Sequence, residues 1–228
     1  MQVVVVRHHE EDSAGFIGAA LEARGAQLST ILFPKEGPLP DLRGVAHIVM
    51  LGSTCSVYDE GEARAWIDEE LAWLRRADAA GVPVLGICFG AQVLAAALGG
   101  TVENAGRQEI GWVTVDTADP GLIPAGPWLE FHHDRCLPPD QAAVIARNDL
   151  GVQAYRLGRH LAVQFHPEVD GGQFRLWLNA GGRTEIEAAG LDPDRLLAQT
   201  IAEEPEAAAR AGQLVASALR IAAEARAG

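Results

Sequence analysis

An α/β fold with a mostly parallel central sheet and helices on both faces is predicted by three observations. Short continuous apolar runs of strand length recur along the first ninety residues, beginning with Val3 to Val6. Stretches with helical spacing separate them, the clearest from Glu60 to Ala80. A later run, Val82 to Ile87, passes straight into a further helical stretch through closely spaced glycines, Gly86 and Gly90. Unbroken apolar runs mark strands buried on both faces, and strands alternating with helices imply parallel neighbours joined by crossovers. At 228 residues, 48% hydrophobic and 21% charged, the chain suits one domain with a sizeable core and is no disordered segment.

The elements follow in order. Val3–Val6 is a β-branched strand. Asp12-Ser13 is placed to cap a helix whose apolar Phe16, Ile17, Ala20 and Leu21 share one face, with Gly25 as its stop. Leu28 to Phe33 is a second strand halted by Pro34, and Val45 to Leu51 a third, ending at Gly52. Over Glu60–Ala80, Trp66, Ile67, Leu71 and Leu74 recur at helix spacing. Acids crowd its start and Arg75-Arg76 its end, matching the macrodipole, and Gly81 ends it. Val82–Ile87 is the next buried strand and about Ala91 to Leu98 the next helix.

After Gly99 the pattern changes. Shorter β-like pieces lie at Gly111–Val115, Trp128–Phe131, Ala142–Ala146, Gly151–Arg156 and Leu161–Phe165, joined by Gly/Pro turns without a helix-length stretch between them. They are expected as an antiparallel extension or edge hairpins of the same sheet. From Asp170 the chain is helical again, and Pro205 suits the first turn of a helix over Glu206–Ala225 that presents Leu214, Val215, Leu219 and Ile221. The expected organisation is one domain over residues 1–180, with a helical appendage over 181–228 packed on it.

Charge and cysteine content narrow the function classes. With 18 Lys plus Arg against 31 Asp plus Glu, the net charge is −13, which leaves no basic patch for nucleic acid. The three cysteines, Cys55, Cys88 and Cys136, form neither a disulfide framework nor a zinc-ligand spacing, so no metal is expected. The apolar start Val3–Val6 is too short for a signal peptide or membrane span, and a cytoplasmic location is expected. Each thiol is then either a small buried hydrophobe or a nucleophile.

Cys88 has the context of a nucleophile. In Val84-Leu85-Gly86-Ile87-Cys88-Phe89-Gly90-Ala91-Gln92 a strand meets a helix at Gly-x-Cys-x-Gly, a nucleophile elbow with sulfur for oxygen. Such a turn lifts the side chain into the open at the carboxyl end of the sheet, above a helix N-terminus that favours a thiolate. Taken alone, the same pattern also suits a buried structural cysteine in a glycine-rich turn. A thiol nucleophile needs a base with an orienting partner. Leu161-Ala162-Val163-Gln164-Phe165-His166-Pro167-Glu168 supplies both: an apolar strand ends in His166, and Pro167 fixes the turn to the carboxylate of Glu168. The other histidines, His8, His9, His47, His132, His133 and His160, have no comparable context and read as surface or core residues.

Together these two segments resemble the class I, triad-type glutamine amidotransferase domain, in the family's order and at roughly its separation. Further segments match. Val49 to Asp59 resembles the family's Gly-Gly-Pro-x-Ser-Val-Tyr-Asp loop, Glu109-Ile110-Gly111-Trp112 its Glu-Ile-Gly-Trp strand, and His132-His133-Asp134 its His-Gly-Asp turn. The resemblance covers roughly residues 1 to 180 and is nearest to free-standing domains related to the glutaminase part of GMP synthetase.

The resemblance implies a flavodoxin-like sheet and hydrolysis of the side-chain amide of glutamine by Cys88, His166 and Glu168, without a cofactor. Oxyanion donors are implied at the backbone of Phe89 and of Ser53, where serine stands in place of the family's glycine and must itself adopt the loop's backbone geometry. Gln92 occupies the family's substrate-contacting position, and Gly52, His133 and Asp134 lie where substrate-facing backbone is implied. The chain carries no pyrophosphate loop of the Ser-Gly-Gly-x-Asp-Ser type and no phosphate-cradling Gly-x-x-x-x-Gly-Lys. Ammonia is therefore expected to pass to a separate synthetase subunit. The same Cys–His–Glu chemistry also suits a γ-glutamyl hydrolase or peptidase, and a non-catalytic regulatory subunit is disfavoured by the intact Cys88, His166 and Glu168.

Overall fold

The computed structural model describes residues 1–227. Among these the chain runs β1 (Gln2–Arg7), α1 (Gly15–Glu22), β2 (Gln27–Leu32), β3 (His47–Met50), α2 (Glu62–Ala79), β4 (Val84–Ile87), α3 (Phe89–Ala97) and β5 (Thr101–Val113). It continues through β6 (Asp116–Thr117), β7 (Trp128–Leu137), β8 (Ala143–Asn148), β9 (Gly151–Leu157), β10 (His160–Val163) and α4 (Gly171–Trp177). A π-helical turn (Leu178–Gly182), α5 (Arg183–Ala188) and α6 (Pro193–Ala227) complete it.

The main sheet has the order β2-β1-β3-β4-β10-β9-β8-β6. Strands β2, β1, β3, β4 and β10 are parallel, and β9, β8 and β6 extend the far edge antiparallel. The parallel part has the doubly wound order whose switch point, between β1 and β3, opens a crevice at the carboxyl ends of the strands.

Alternation along β1 explains the layering. Val3 and Val5 face α1 and α6 with Ile17, Leu21, Leu214, Val215 and Ile221, while Val4 and Val6 face α2 and α3 with Ile67, Leu71, Leu74, Val93 and Leu94. Each such buried aliphatic side chain contributes about 1.5–3 kcal/mol. Arg210 of α6 also lies 5.6 Å over the Trp128 ring. A third apolar group, including Leu129, Phe174, Leu178 and Leu196, joins β7 to the helices after Asp170.

Four details depart from the sequence expectation. The pieces at Gly111–Val115 and Trp128–Phe131 belong to longer strands, β5 and β7, which pair as a separate two-stranded ribbon rather than on the main sheet. An irregularity between Asn104 and Glu109 breaks the alternation of β5, which hid its first half.

Asp12-Ser13 does not cap α1. The helix starts after Ala14 with no side-chain cap; Asp12 accepts from the Trp177 indole at 2.9 Å, and Ser13 donates to Gln173 at 2.6 Å.

Pro205 is not a first-turn residue but lies inside α6. The first-turn proline is Pro193, with Asp192 Oδ1 accepting from the N–H groups of Asp194 and Arg195, so the helix is capped twelve residues earlier. Finally, α3 begins at Phe89, directly after the cysteine, rather than at Ala91. Among the described residues no helix is long and apolar enough to cross a membrane.

Candidate active site

Every site residue singled out in the sequence lies at or beside the carboxyl ends of β3, β4 and β10, or on the ribbon strand β7. Cys88 joins β4 to α3 with φ +53° and ψ −112°, and it is the non-glycine residue with positive φ among the described residues. A bulky residue in that region is strained and persists only where its surroundings over-determine it. Here they do. The Cys88 N–H bonds the Val163 carbonyl at 2.9 Å, and the Cys88 carbonyl accepts from Ala91. A Cβ on Gly90 would sit 2.1 Å from the Met50 carbonyl oxygen, and one on Gly86 2.6 Å from the Gly90 carbonyl oxygen. Both glycines are thus required by close backbone approach.

His166 follows β10, its N–H bonded to the Leu129 carbonyl at 2.8 Å. Its Nδ1 lies 2.8 Å from Glu168 Oε1, and both side chains are buried. The edge of Trp177 packs against the ring at 4.9 Å. Burial disfavours charge on His166, but Glu168, the Cys88 thiolate and the bond to the Cys88 side chain outweigh it and hold its pKa well above the ordinary value. The imidazolium form of His166 is thereby favoured. Glu168 is fixed through its main chain: its carbonyl accepts from the Phe16 N–H at 3.0 Å, and Gly15 passes so close that a Cβ there would be 1.9 Å from that oxygen.

The loop after β3 forms the facing wall. A Cβ on Gly52 would be 3.1 Å from His166 Cε1 and 3.8 Å from Cys88 Cβ. Ser53 has no left-handed backbone, so serine fits this position without strain. Its Oγ accepts from the Cys55 N–H at 3.2 Å. Ser56 and Tyr58 donate to the two carboxylate oxygens of Asp134 at 2.5 and 2.7 Å, which ties the loop to β7. The Asp134 carboxylate is therefore turned into the protein, and its main-chain carbonyl lies 2.8 Å from His132 Nδ1. Gln92, buried on the first turn of α3, donates to the Asp134 carbonyl at 3.4 Å and to Gln164 at 3.2 Å. The His133 side chain is 44% exposed at the rim.

Cys88, His166, Gly52, Ser53, Gln92, His133 and Asp134 line one cavity of about 390 Å³ that opens to solvent, as do Glu11, Trp177 and Glu185. Phe89 and Glu168 lie behind this surface; the Phe89 ring is buried and its N–H opens α3. Cys55 also lines the cavity, its thiol pKa pushed up by burial, whereas Cys136 is buried in the core with its pKa pushed to about 12 by the same cause.

Two groups of residues were not singled out. Glu109, Glu130 and His132 offer ligand atoms within 4.8 Å of one another. Nε2 of His132 lies 3.1 Å from both carboxylates; burial opposes its charge, yet they push its pKa to about 10. Burial raises Glu130 to about 7. This is the pattern of a buried imidazolium held by two acids. The second group is His8 and Glu70, behind Gly52. Long-range contacts join Glu109 to the Glu130–His132 pair and His8 to Glu70.

The family model described as glutamine amidotransferase class-I matches residues 17–179. The chain is 34% identical over 163 residues to a GMP synthase (glutamine-hydrolyzing) from Streptomyces avermitilis, an alignment covering 66% of this chain and 29% of that protein. It is 32% identical over 163 residues to the same-named protein from Thermus thermophilus, covering 66% and 30%. The chain thus spans about three tenths of those synthases. A crystal structure of a glutamine amidotransferase from Thermotoga maritima superposes with a TM-score of 0.86 at 25% identity, covering 97% of this chain and 98% of that one. One from Methylobacillus flagellatus gives 0.84 at 25% identity, covering 96% and 94%. With the family model matched over most of its length, the chain belongs to the class-I glutamine amidotransferase family.

Proposed function

We propose that the protein hydrolyses the side-chain amide of L-glutamine through Cys88, His166 and Glu168, and that the ammonia released serves a separate synthetase subunit. The observation that carries this reading is the buried His166 imidazole, bonded to Glu168 through Nδ1 and lining, together with Cys88, one solvent-open cavity. The Cys88 thiolate attacks the amide carbon and forms a C–S bond. The resulting oxyanion is met by the N–H groups of Ser53 and Phe89. His166 gives its proton to the departing nitrogen as the C–N bond breaks, leaving a glutamyl thioester and ammonia. Water, deprotonated by His166, then attacks the thioester, releasing glutamate and restoring the thiolate. Glu168 orients the imidazole and stabilises its charged form. Gln92 and the main chain of Gly52, His133 and Asp134 position the amino-acid part of the substrate.

The synthases that the chain resembles are more than three times the matched length, which supports a partner or further segment for the ammonia-consuming step. Residues 1–180 form the glutaminase module in this reading, and residues 181–228 support it by covering one face of the sheet.

The cavity favours a second reading. Its volume of about 390 Å³ and its opening to solvent leave room for a substituent on the amide nitrogen, as in a γ-glutamyl amine or peptide. A parallel assay of glutamine, γ-glutamyl peptides and γ-glutamyl amines, with the wild type and Cys88→Ala, separates the readings. Turnover of glutamine by the wild type, abolished in a folded Cys88→Ala protein, is expected. Near wild-type turnover by Cys88→Ala refutes the mechanism, and a clear preference for substituted amides moves the assignment to the second reading.

A further inference from the structure

Two histidine–carboxylate couples flank Gly52. One is His166–Glu168; the other, His8–Glu70, faces the opposite side of the same loop and has no part in the chemistry above. His8 follows β1. Its side chain is 2% exposed, held between the rings of Trp66 and Phe89 at 5.6 and 5.1 Å. Its Nδ1 lies 2.7 Å from the Gly52 carbonyl oxygen and its Nε2 2.9 Å from Glu70 Oε1. A carbonyl oxygen can only accept, so Nδ1 carries a proton and donates it.

The direction of that bond matters. In a trans peptide the C=O and the following N–H point opposite ways. Gly52 and Ser53 line the cavity, whereas His8 stands outside it, behind the loop. A Gly52 carbonyl drawn toward His8 therefore turns the Ser53 N–H toward Cys88 and His166. Burial opposes charge on His8, but Glu70 and the Gly52 carbonyl outweigh it and raise its pKa, which favours a proton on both nitrogens. Glu70 itself is fully buried, and its Oε2 has no hydrogen-bond partner among the described residues. A half-satisfied buried carboxylate is a poor device for stability alone.

We infer that His8 and Glu70 are positioning residues that hold the Gly52–Ser53 peptide with its N–H facing the cavity, so that the oxyanion hole stands formed before any partner binds. The kinetic part of this inference rests on the proposed glutaminase reading; the structural part does not.

The test compares two double variants that leave no buried carboxylate uncompensated. His8→Leu/Glu70→Leu removes the donor, and His8→Asn/Glu70→Leu restores an N–H near the Nδ1 position. Crystal structures of both are expected to show the Gly52 carbonyl turned away from position 8 in the first and retained toward it in the second. With glutamine, or the γ-glutamyl amine if that is the better substrate, the first variant should lose about tenfold to a hundredfold in kcat, with KM changed less than about threefold, and the second should regain most of it. Alkylation of Cys88 by iodoacetamide, which forms no oxyanion, should proceed in both at the wild-type rate. An unchanged peptide orientation in His8→Leu/Glu70→Leu overturns the inference, as does equal kcat in the two variants. If the wild type turns over no amide, the glutaminase reading fails, and the peptide orientation alone decides the inference.

Discussion

The two walls of the site are held in place by different means. On one side, the β4–α3 elbow presents Cys88 by backbone constraint: a strained φ of +53°, two glycines in van der Waals contact with neighbouring main chain, and a bond to the Val163 carbonyl. On the other, the Gly52–Asp59 loop has the unstrained Ser53 near its start and is fixed by side chains from elsewhere: His8 on the Gly52 carbonyl, Asp134 on Ser56 and Tyr58, and His9 accepting from the Thr54 N–H. A wall built from backbone contacts tolerates almost no substitution. A wall built from side-chain contacts can be loosened one bond at a time, which makes it the place where activity can be tuned without unfolding the protein.

That contrast can be broken first at Gly90. A Cβ 2.1 Å from the Met50 carbonyl has nowhere to move, so Gly90→Ala is expected to yield unfolded protein or to lose more than about 4 kcal/mol in chemical denaturation. Gly52→Ala, whose Cβ would press on the His166 ring edge at 3.1 Å and reach Cys88 Cβ at an ordinary 3.8 Å, should fold and lose activity instead.

Next comes Glu168→Gln, which keeps the shape and removes the charge. We expect kcat to fall about 100-fold. The sign of the pH effect follows from His166: Glu168 and Cys88 hold its pKa above the ordinary value against burial, so the imidazolium survives to higher pH than a free one would. Without Glu168 that pKa falls, and the alkaline limb of the kcat profile should move to lower pH.

A smaller effect is expected from Asp134→Ala, which frees Ser56 and Tyr58 and slackens the loop: about tenfold in kcat, with iodoacetamide alkylation of Cys88 unaffected. Smallest is Ser53→Ala, which removes only the bond from the Cys55 N–H and should cost about twofold to fivefold. A larger loss there would mean that the serine hydroxyl, rather than its main chain, serves the site.

The same contrast explains what could be read from sequence. The elbow and the His166-Pro167-Glu168 turn are each local: glycines and nucleophile lie within five residues in the one, base and partner within three in the other, so pattern alone points to them. The parallel strands were legible because each is an unbroken apolar run. His8 was not, since its partners Gly52 and Glu70 lie 44 and 62 positions away and nothing in its neighbours marks it. The ribbon of β5 and β7 was missed because its break between Asn104 and Glu109 destroys the two-residue period. Pro205 misled because a first-turn proline and an interior one look alike until Asp192, the cap of the true start, is seen.

The central claim is that Cys88, and not the cavity's other thiol, is the nucleophile for a glutamine-shaped substrate. Incubation with a diazoketone analogue of glutamine, followed by peptide mass mapping, tests it directly. The account predicts one label, on Cys88, formed more slowly when glutamine is present and absent from Cys88→Ala. Labelling of Cys55, which lines the same cavity, or labelling that persists in Cys88→Ala, would contradict it.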